Sequence, residues 1–187
     1  MTIEQAESST SPDAEHRGIQ VFHAGDGEEL TENIMPMEGL DDSVLAGFGK
    51  MAEAGAAGSS PDRVRCLFRE PRENGLSLCH AWFKSGFVLP RHSHNADCLY
   101  YIVGGELKLG NQTLRKGDGF FVPSGQTYSY VTGPEGVEVL EFRNATRFNI
   151  VFKPDDDKHW DRAADAVREH ASKWPGETVP PSKRSGT

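Results

Sequence analysis

The sequence predicts an all-β fold, an antiparallel sandwich or barrel, with an N-terminal extension and a C-terminal helix. Three observations predict it. Between Val64 and Phe152 the apolar residues recur in short runs with period two, the spacing of a strand that buries one face. Turn-forming pairs punctuate those runs: Asn74-Gly75, Gly104-Gly105, Gly110-Asn111, Gly117-Asp118 and Gly133-Pro134. Helical spacing appears only on either side of this stretch.

In chain order, residues 1–17 are rich in Ser, Glu, Asp and Ala without periodicity, which predicts a disordered arm. Residues 18–62 form the extension, a strand plus a helix. Ile19, Val21 and His23 alternate with Gln20 and Phe22 in a short strand over 18–24. Asp41, Asp42 and Ser43 then offer capping oxygens to a helix carrying Val44, Leu45, Phe48 and Met51 at helical spacing. Residues 55–61 are a Gly/Ser-rich connection. The barrel occupies 63–153, with strands expected over 64–68, 76–83, 97–103, 106–109, 119–122, 127–131, 137–142 and 147–152. Residues 154–174 return to helical spacing, with Trp160, Ala163, Ala164, Val167 and Ala171 on one stripe. Pro175 ends that helix, and 175–187 is read as a flexible tail.

Composition bounds the function. The chain has 187 residues, enough for one domain, and a net charge of −8. That charge argues against a nucleic-acid binder, which needs a basic face. No apolar run is long enough for a membrane span, and the first twenty residues lack a signal-peptide pattern. Three cysteines, few and odd in number, fit a reducing cytoplasm.

The chemistry is concentrated in Gly86 to Gly105. Gly86 is followed by five residues, then His92-Ser93-His94, three more, Cys98, six more, and Gly105. Further on, Gly117 is followed by five residues, then Pro123-Ser124-Gly125, two more, Tyr128, three more, and Thr132. These spacings resemble the two motifs of the cupin superfamily, Gly-x5-His-x-His-x3-Glu-x6-Gly and Gly-x5-Pro-x-Gly-x2-His-x3-Asn. The resemblance spans roughly Val64 to Phe152. It implies a double-stranded β-helix, a jelly-roll barrel often found as a homodimer, with outward residues such as Tyr101 and Val103 at the interface.

Strand alternation agrees with the resemblance. His-x-His sends both imidazoles to one face, and neutral imidazole suits iron, manganese, nickel, copper and zinc. The departures are equally informative. Cys98 stands where the cupin Glu ligand would be, and Tyr128 where the second-motif His would be. Both bind metals well only as anions. The candidate metal ligands are therefore His92, His94, Cys98 and Tyr128. Cys98 can also be a small buried hydrophobe, and Tyr128 an aromatic packing residue. Asp97, Gln126 and His80 are possible substitutes. Cysteine dioxygenase-like cupins are similar in placing a cysteine at the Glu position. The cupin lyases that cleave dimethylsulfoniopropionate are similar in a tyrosine two residues later, here Tyr100.

The expected function is a metal-dependent enzyme, iron first, acting on a small organic molecule by oxygenase-type chemistry. Tyr128 or Tyr100 would supply a proton or phenolate, and Phe120, Tyr130 and Ile102 the apolar wall. A non-catalytic, metal-free binding or regulatory cupin is the alternative, and a metal-dependent isomerase or lyase a further one. Glu141 and Arg143 share a face of a late strand and would orient a polar ligand if that face is interior.

Overall fold

The computed structural model describes residues 18–58, 60–72 and 75–184. Its strands are β1 (Glu28–Glu29), β2 (Met37–Glu38), β3 (Asp62–Arg69), β4 (Ser77–Phe83), β5 (His92–Ser93), β6 (Cys98–Leu109), β7 (Gln112–Arg115), β8 (Gly119–Val122), β9 (Val131–Arg143) and β10 (Ile150–Phe152). The helices are α1 (Asp42–Glu53) and α2 (Asp157–His170). One sheet runs β1-β3-β4-β9-β6-β7 with β8 also on β6, and a second runs β2-β10-β5. The pairings are antiparallel except β2 with β10.

Alternation on the long central strands builds the interior. Cys98, Tyr100 and Ile102 of β6 face inward, beside Val139, Glu141 and Arg143 of β9. Leu99, Tyr101 and Phe142 face outward. The sequence expects a break at Gly104-Gly105, but β6 bulges there and continues. Gly105 has φ +71°, and a Cβ on it would lie 2.1 Å from the Gly136 carbonyl oxygen. Only glycine admits that close approach in that conformation.

The helices form a layer against the barrel. Asp41 caps α1, its Oδ1 accepting from the Val44 N–H at 2.9 Å, and Asp156 caps α2 through the His159 N–H at 2.8 Å. The expected stripe is buried: Trp160, Ala163, Ala164 and Val167. Gly47 lets the helices meet, since a Cβ there would lie 2.2 Å from the Trp160 indole. Phe48 packs edge-on against both Trp160 (5.7 Å) and Phe152 (5.0 Å), tying the helix pair to the second sheet.

Further expectations are corrected: of 127–131 only Val131 lies in a strand, since Tyr128 makes a single bridge to His92. No strand forms over 18–24; Ile19 is 99% exposed and the segment pairs with no strand. The strand residues of the extension are those of β1 and β2 instead. The second helix begins at Asp157 and ends at His170, within the expected 154–174. Beyond it, the described part of the tail is docked rather than loose. The Trp174 Nε1–H donates to the Ser85 carbonyl (2.9 Å), Glu177 accepts from the Ser85 N–H (3.0 Å), and the Ser182 N–H donates to Glu138 Oε2 (3.0 Å). Pro181 is fully buried. The arm over 1–17, the centre of the turn at 73–74 and residues 185–187 lie outside the described residues. No described helix is long and apolar enough to cross a membrane.

Candidate metal and ligand site

A cavity of about 260 Å³ lies between the two sheets, lined by His92, His94, Tyr128, Tyr130, Glu141 and Arg143 and by a larger apolar surface. Its floor starts from two short pieces of backbone. The His92 N–H donates to the Tyr128 carbonyl (3.1 Å) and the Tyr128 N–H to the His92 carbonyl (3.0 Å), while His92 also pairs with Phe152 of β10. His92 is thereby held from both sides. His94 follows two residues later and shares its face, as strand alternation requires.

Each ring is fixed by its Nδ1. In His92 this nitrogen is 2.7 Å from the Pro90 carbonyl oxygen, and in His94 it is 2.5 Å from that of Asn149. A carbonyl only accepts, so each Nδ1 carries the proton and each Nε2 keeps its lone pair. Burial pushes both imidazoles down to about 4, so both are neutral at pH 7. The ring centroids are 5.0 Å apart with planes at 78°.

This donor pair fits a metal. Through Nε2, His92 and His94 are the two residues that would hold a divalent ion. The backbone hydrogen bond at Nδ1 is the kind of outer contact that orients metal-binding histidines. Beyond the pair the fit is incomplete. Among the described residues, no group of three or more His, Cys, Asp or Glu side chains is arranged to hold a metal.

Tyr128 stands beside the pair. Its ring centroid is 4.4 Å from that of His92, and its hydroxyl is 3.4 Å from His94 Nε2 and 2.5 Å from the Tyr100 hydroxyl. With His94 accepting at Nε2, the chain of donation runs from Tyr100 to Tyr128 to His94. Burial raises both phenols above their ordinary values, which keeps them protonated.

The other expected site residues separate. Tyr130 lines the cavity. Phe120 and Ile102 do not: Phe120 stacks on Tyr100 (4.5 Å, 4°) behind the wall, and Ile102 is fully buried in the core. Tyr100 reaches the site only through Tyr128. Cys98 faces inward but sits behind the lining, opposite Arg143, and burial pushes its thiol up to about 12. A thiol so held is a packing group, so the structure gives no support to Cys98 as a ligand. The substitutes are absent too. The His80 Nε2 is 2.6 Å from Glu138 on the opposite face of the sheet. Asp97 accepts from the Ser124 N–H (2.8 Å), and the Gln126 side chain turns to the Thr127 carbonyl (3.0 Å). Thr132 is structural, accepting from the Phe87 N–H and donating to the Lys84 carbonyl.

Glu141 and Arg143 are interior. Arg143 Nη2 is 2.8 Å from Glu141 Oε2, with side chains 2% and 8% exposed. The guanidinium lies over the Phe148 ring at 4.1 Å. Its Nε and Nη1 have no partner, nor does the Tyr130 hydroxyl.

Sequence reasoning missed part of the apolar wall. Leu30, Met35 and Met37 come from the extension and Phe48 from α1. The extension reaches the cavity because β2 pairs in parallel with β10, Met37 opposite Ile150. Parallel pairing between such distant segments leaves no short-range signal in a sequence.

Residues 52–170 match the family described as Domain of unknown function (DUF4437), and the chain belongs to that family. No curated protein matches the sequence. Among solved structures, the chain is similar to the polyketide cyclase RemF from Streptomyces resistomycificus, at 14% identity over 80% of this chain and 99% of that one, with a TM-score of 0.50. It is similar to a protein of unknown function with a cupin-like fold from Ralstonia eutropha, at 24% identity over 63% and 81% of the two chains (TM-score 0.43). It is also similar to KdgF from Halomonas sp., at 22% identity over 47% and 82% (TM-score 0.41). Likeness at this identity concerns the fold, and the fold is that of the cupins, as the motif spacing predicts.

Proposed function

We propose that the chain is a metal-dependent cupin enzyme that acts on a small, largely apolar organic molecule, with oxygenase-type chemistry. One observation carries the proposal: two neutral imidazoles, each pinned by Nδ1 to a backbone carbonyl, line one half-open cavity with Nε2 as the remaining lone pair. His92 and His94 would hold a first-row ion, iron first, with nickel, copper and zinc also suited to imidazole and manganese the weakest binder of the set. Such an ion supplies Lewis-acid or redox chemistry at the positions the protein leaves open.

The remaining residues act on the substrate. Tyr128 holds a proton at its hydroxyl and is placed to give it to a bound molecule. Tyr100 hydrogen-bonds the same oxygen and supports the phenolate as the proton leaves. Tyr128 is thus a proton donor in this proposal rather than an anionic ligand. Phe83, Phe87, Leu89, Ile150 and Phe152 exclude water and bind the apolar body. Three free thiols support a reducing compartment. The exposed neighbours Leu99, Phe121 and Phe142 support a homodimer.

A second reading, a metal-free ligand-binding cupin, is favoured by the lack, among the described residues, of a third ligand grouped with the two histidines. Metal content separates the two. Tag-free protein reconstituted anaerobically with iron is expected to hold close to one ion per chain, and His92→Ala to lose it. No metal in either protein would leave only the binding module. Fe(III)-loaded protein is further expected to lack a phenolate charge-transfer band. A visible band abolished by Tyr128→Phe would put Tyr128 on the ion.

A further inference from the structure

Cys66 on β3 and Cys79 on β4 are Cα partners in the antiparallel ladder, so their side chains stand opposite one another on one face of the sheet. Both are free thiols. They share a small core with Ile34, Ala96 and Phe148, and Leu30 and Met35 of the extension pack on it. The Cβ atoms of an opposed pair lie about 4.5–5.5 Å apart, and a disulfide needs about 3.5–4.5 Å, so a shift of about 1 Å lets such a pair bond. Room for that shift is built in. The register slips between Cys66 and Phe68, which leaves Leu67 out of the ladder to β4. A strand is bent and its ladder locally broken at such a bulge.

The two thiols are not equivalent. Cys79 is fully buried and stands opposite Glu141 of β9. Cys66 is 3% exposed and lines a surface recess of about 260 Å³ with Asp26, Glu28, Phe68, Arg69 and Thr146. The Cys66 S–H donates to the Phe68 carbonyl at 3.4 Å, which leaves its sulfur to accept from Cys79. That hydrogen bond lowers the Cys66 thiol below its ordinary value in spite of burial, and the nearby Arg69 charge adds to the effect. The same hydrogen bond, with burial, pushes Cys79 up. The thiolate is the reactive form of cysteine, so Cys66 is the member of the pair made ready to react. Cys98 stands apart on β6, separated from β4 by β9, with its thiol pushed up to about 12 by burial.

We propose that Cys66 and Cys79 form a peroxide-sensitive pair: hydrogen peroxide entering the recess oxidises Cys66, and Cys79 resolves it as a disulfide between β3 and β4. Peroxide is hardly larger than water, which suits a sulfur so little exposed. In the first step the Cys66 sulfur attacks one peroxide oxygen and the O–O bond breaks. The departing hydroxide takes the thiol proton and leaves as water, and Cys66 becomes a sulfenic acid. In the second step the Cys79 sulfur attacks the sulfenic sulfur, the S–O bond breaks, and the hydroxyl leaves with the Cys79 proton as a second water. The two thiols give up two electrons and the peroxide accepts them; a thiol reductant reverses the change. The new bond ties the small core that carries Leu30 and Met35, and both of these also line the imidazole cavity. Oxidation thus fastens one wall of that cavity. The inference stands apart from the metal-dependent function and holds whether or not an ion binds.

The test maps the thiols. Reduced full-length protein is treated with hydrogen peroxide in the presence of a chelator, its remaining thiols are alkylated, and it is digested without reductant. Trypsin cuts after Arg65, Arg69, Arg72 and Lys84, so Cys66 and Cys79 fall on separate peptides, 66–69 and 73–84. Mass spectrometry is expected to find these two joined, lighter by two hydrogens than their sum, and separated again by dithiothreitol. Cys98 is expected to stay alkylatable, with Cys66 oxidised on the order of tenfold faster. In Cys79→Ser, Cys66 should accumulate as a sulfenic acid that dimedone traps. In Cys66→Ser, Cys79 should react no faster than Cys98. Should either variant fail to fold, the map of the parent protein decides. The inference is overturned if the two peptides are never joined, if they join only in urea, or if Cys98 is oxidised as fast as Cys66. It is overturned equally if dimedone labels Cys79 in Cys66→Ser as readily as it labels Cys66 in Cys79→Ser.

Discussion

Glu138 and Glu141 lie on the same strand and face opposite sides of it, and their partners differ in kind. Glu138 is satisfied within the chain: His80 Nε2 is at 2.6 Å from one oxygen and the Ser182 N–H donates to the other at 3.0 Å. Together they fasten the C-terminal tail to the outside of the barrel. Glu141 is met by Arg143, whose Nε and Nη1 are buried without a partner. A buried charge whose whole neighbourhood is paired by the chain is part of the architecture. One whose partner keeps buried donors unpaired carries an uncompensated desolvation cost.

The comparison is broken most severely at Arg143. Arg143→Met strands the Glu141 carboxylate in the interior and is expected to cost about 3–5 kcal/mol in urea unfolding. The double variant Arg143→Met with Glu141→Leu is expected to recover most of that loss, since it removes both charges. A double variant as unstable as the single one would mean that the pair is needed for the fold.

Acid separates the two regions next. His92 and His94 have native values near 4, below the ordinary 6.5. The unfolded chain therefore takes up their protons first. The stability they contribute is complete above pH 6.5 and is lost as the pH falls toward 4, on the order of 3 kcal/mol per ring. Burial works against the charge of Glu138, but hydrogen bonds from His80 and Ser182 outweigh it and lower its value. Its contribution is present above about pH 4.5 and is lost only below that, as pH falls through the depressed value. Stability curves from pH 8 to 3 should accordingly show the upper loss diminished in His92→Gln and the lower loss diminished in Glu138→Gln.

At neutral pH, Glu138→Gln should cost about 1–3 kcal/mol and speed proteolytic clipping between Pro175 and Arg184, with metal content unchanged. A fall in metal content would tie the tail to the site. The smallest effect belongs to Tyr130→Phe. Its hydroxyl has no partner, so removing it should leave the empty protein within about 0.5 kcal/mol of the parent or slightly more stable. A larger loss would show that the hydroxyl is already bonded.

Much of the barrel was legible because its signals are local. Period-two runs gave the strands, Asp41 before an apolar helical stripe gave α1, and His92-Ser93-His94 gave the donor pair. What was hidden depends on distant partners. Ile19 and Val21 have the residue pattern of a strand, yet they pair with no other strand and stay exposed. The tail is polar and proline-containing like a loose end, but Glu138 and Ser85 pair its backbone and side chains. Gly104-Gly105 has the composition of a turn, and only the nearness of Gly136 makes it a bulge. In the candidate site, alternation alone predicts that Phe120, Ile102 and Cys98 face inward. It cannot say which inward residues touch the cavity and which stand behind Tyr128 and Tyr130.

The imidazoles of His92 and His94 take their aim from the Pro90 and Asn149 carbonyls, which belong to the main chain. No substitution of a side chain deletes a carbonyl oxygen. The direction of the two rings is therefore as durable as the barrel's own ladder, and the cavity can be relined around it. Exchanging Leu30, Met35, Phe48 or Leu89 for other apolar residues changes the shape of what enters without turning either nitrogen. In engineering terms, the shape of the cavity and the aim of the imidazoles are separate dials in this protein, one set by replaceable side chains and the other by the path of the backbone.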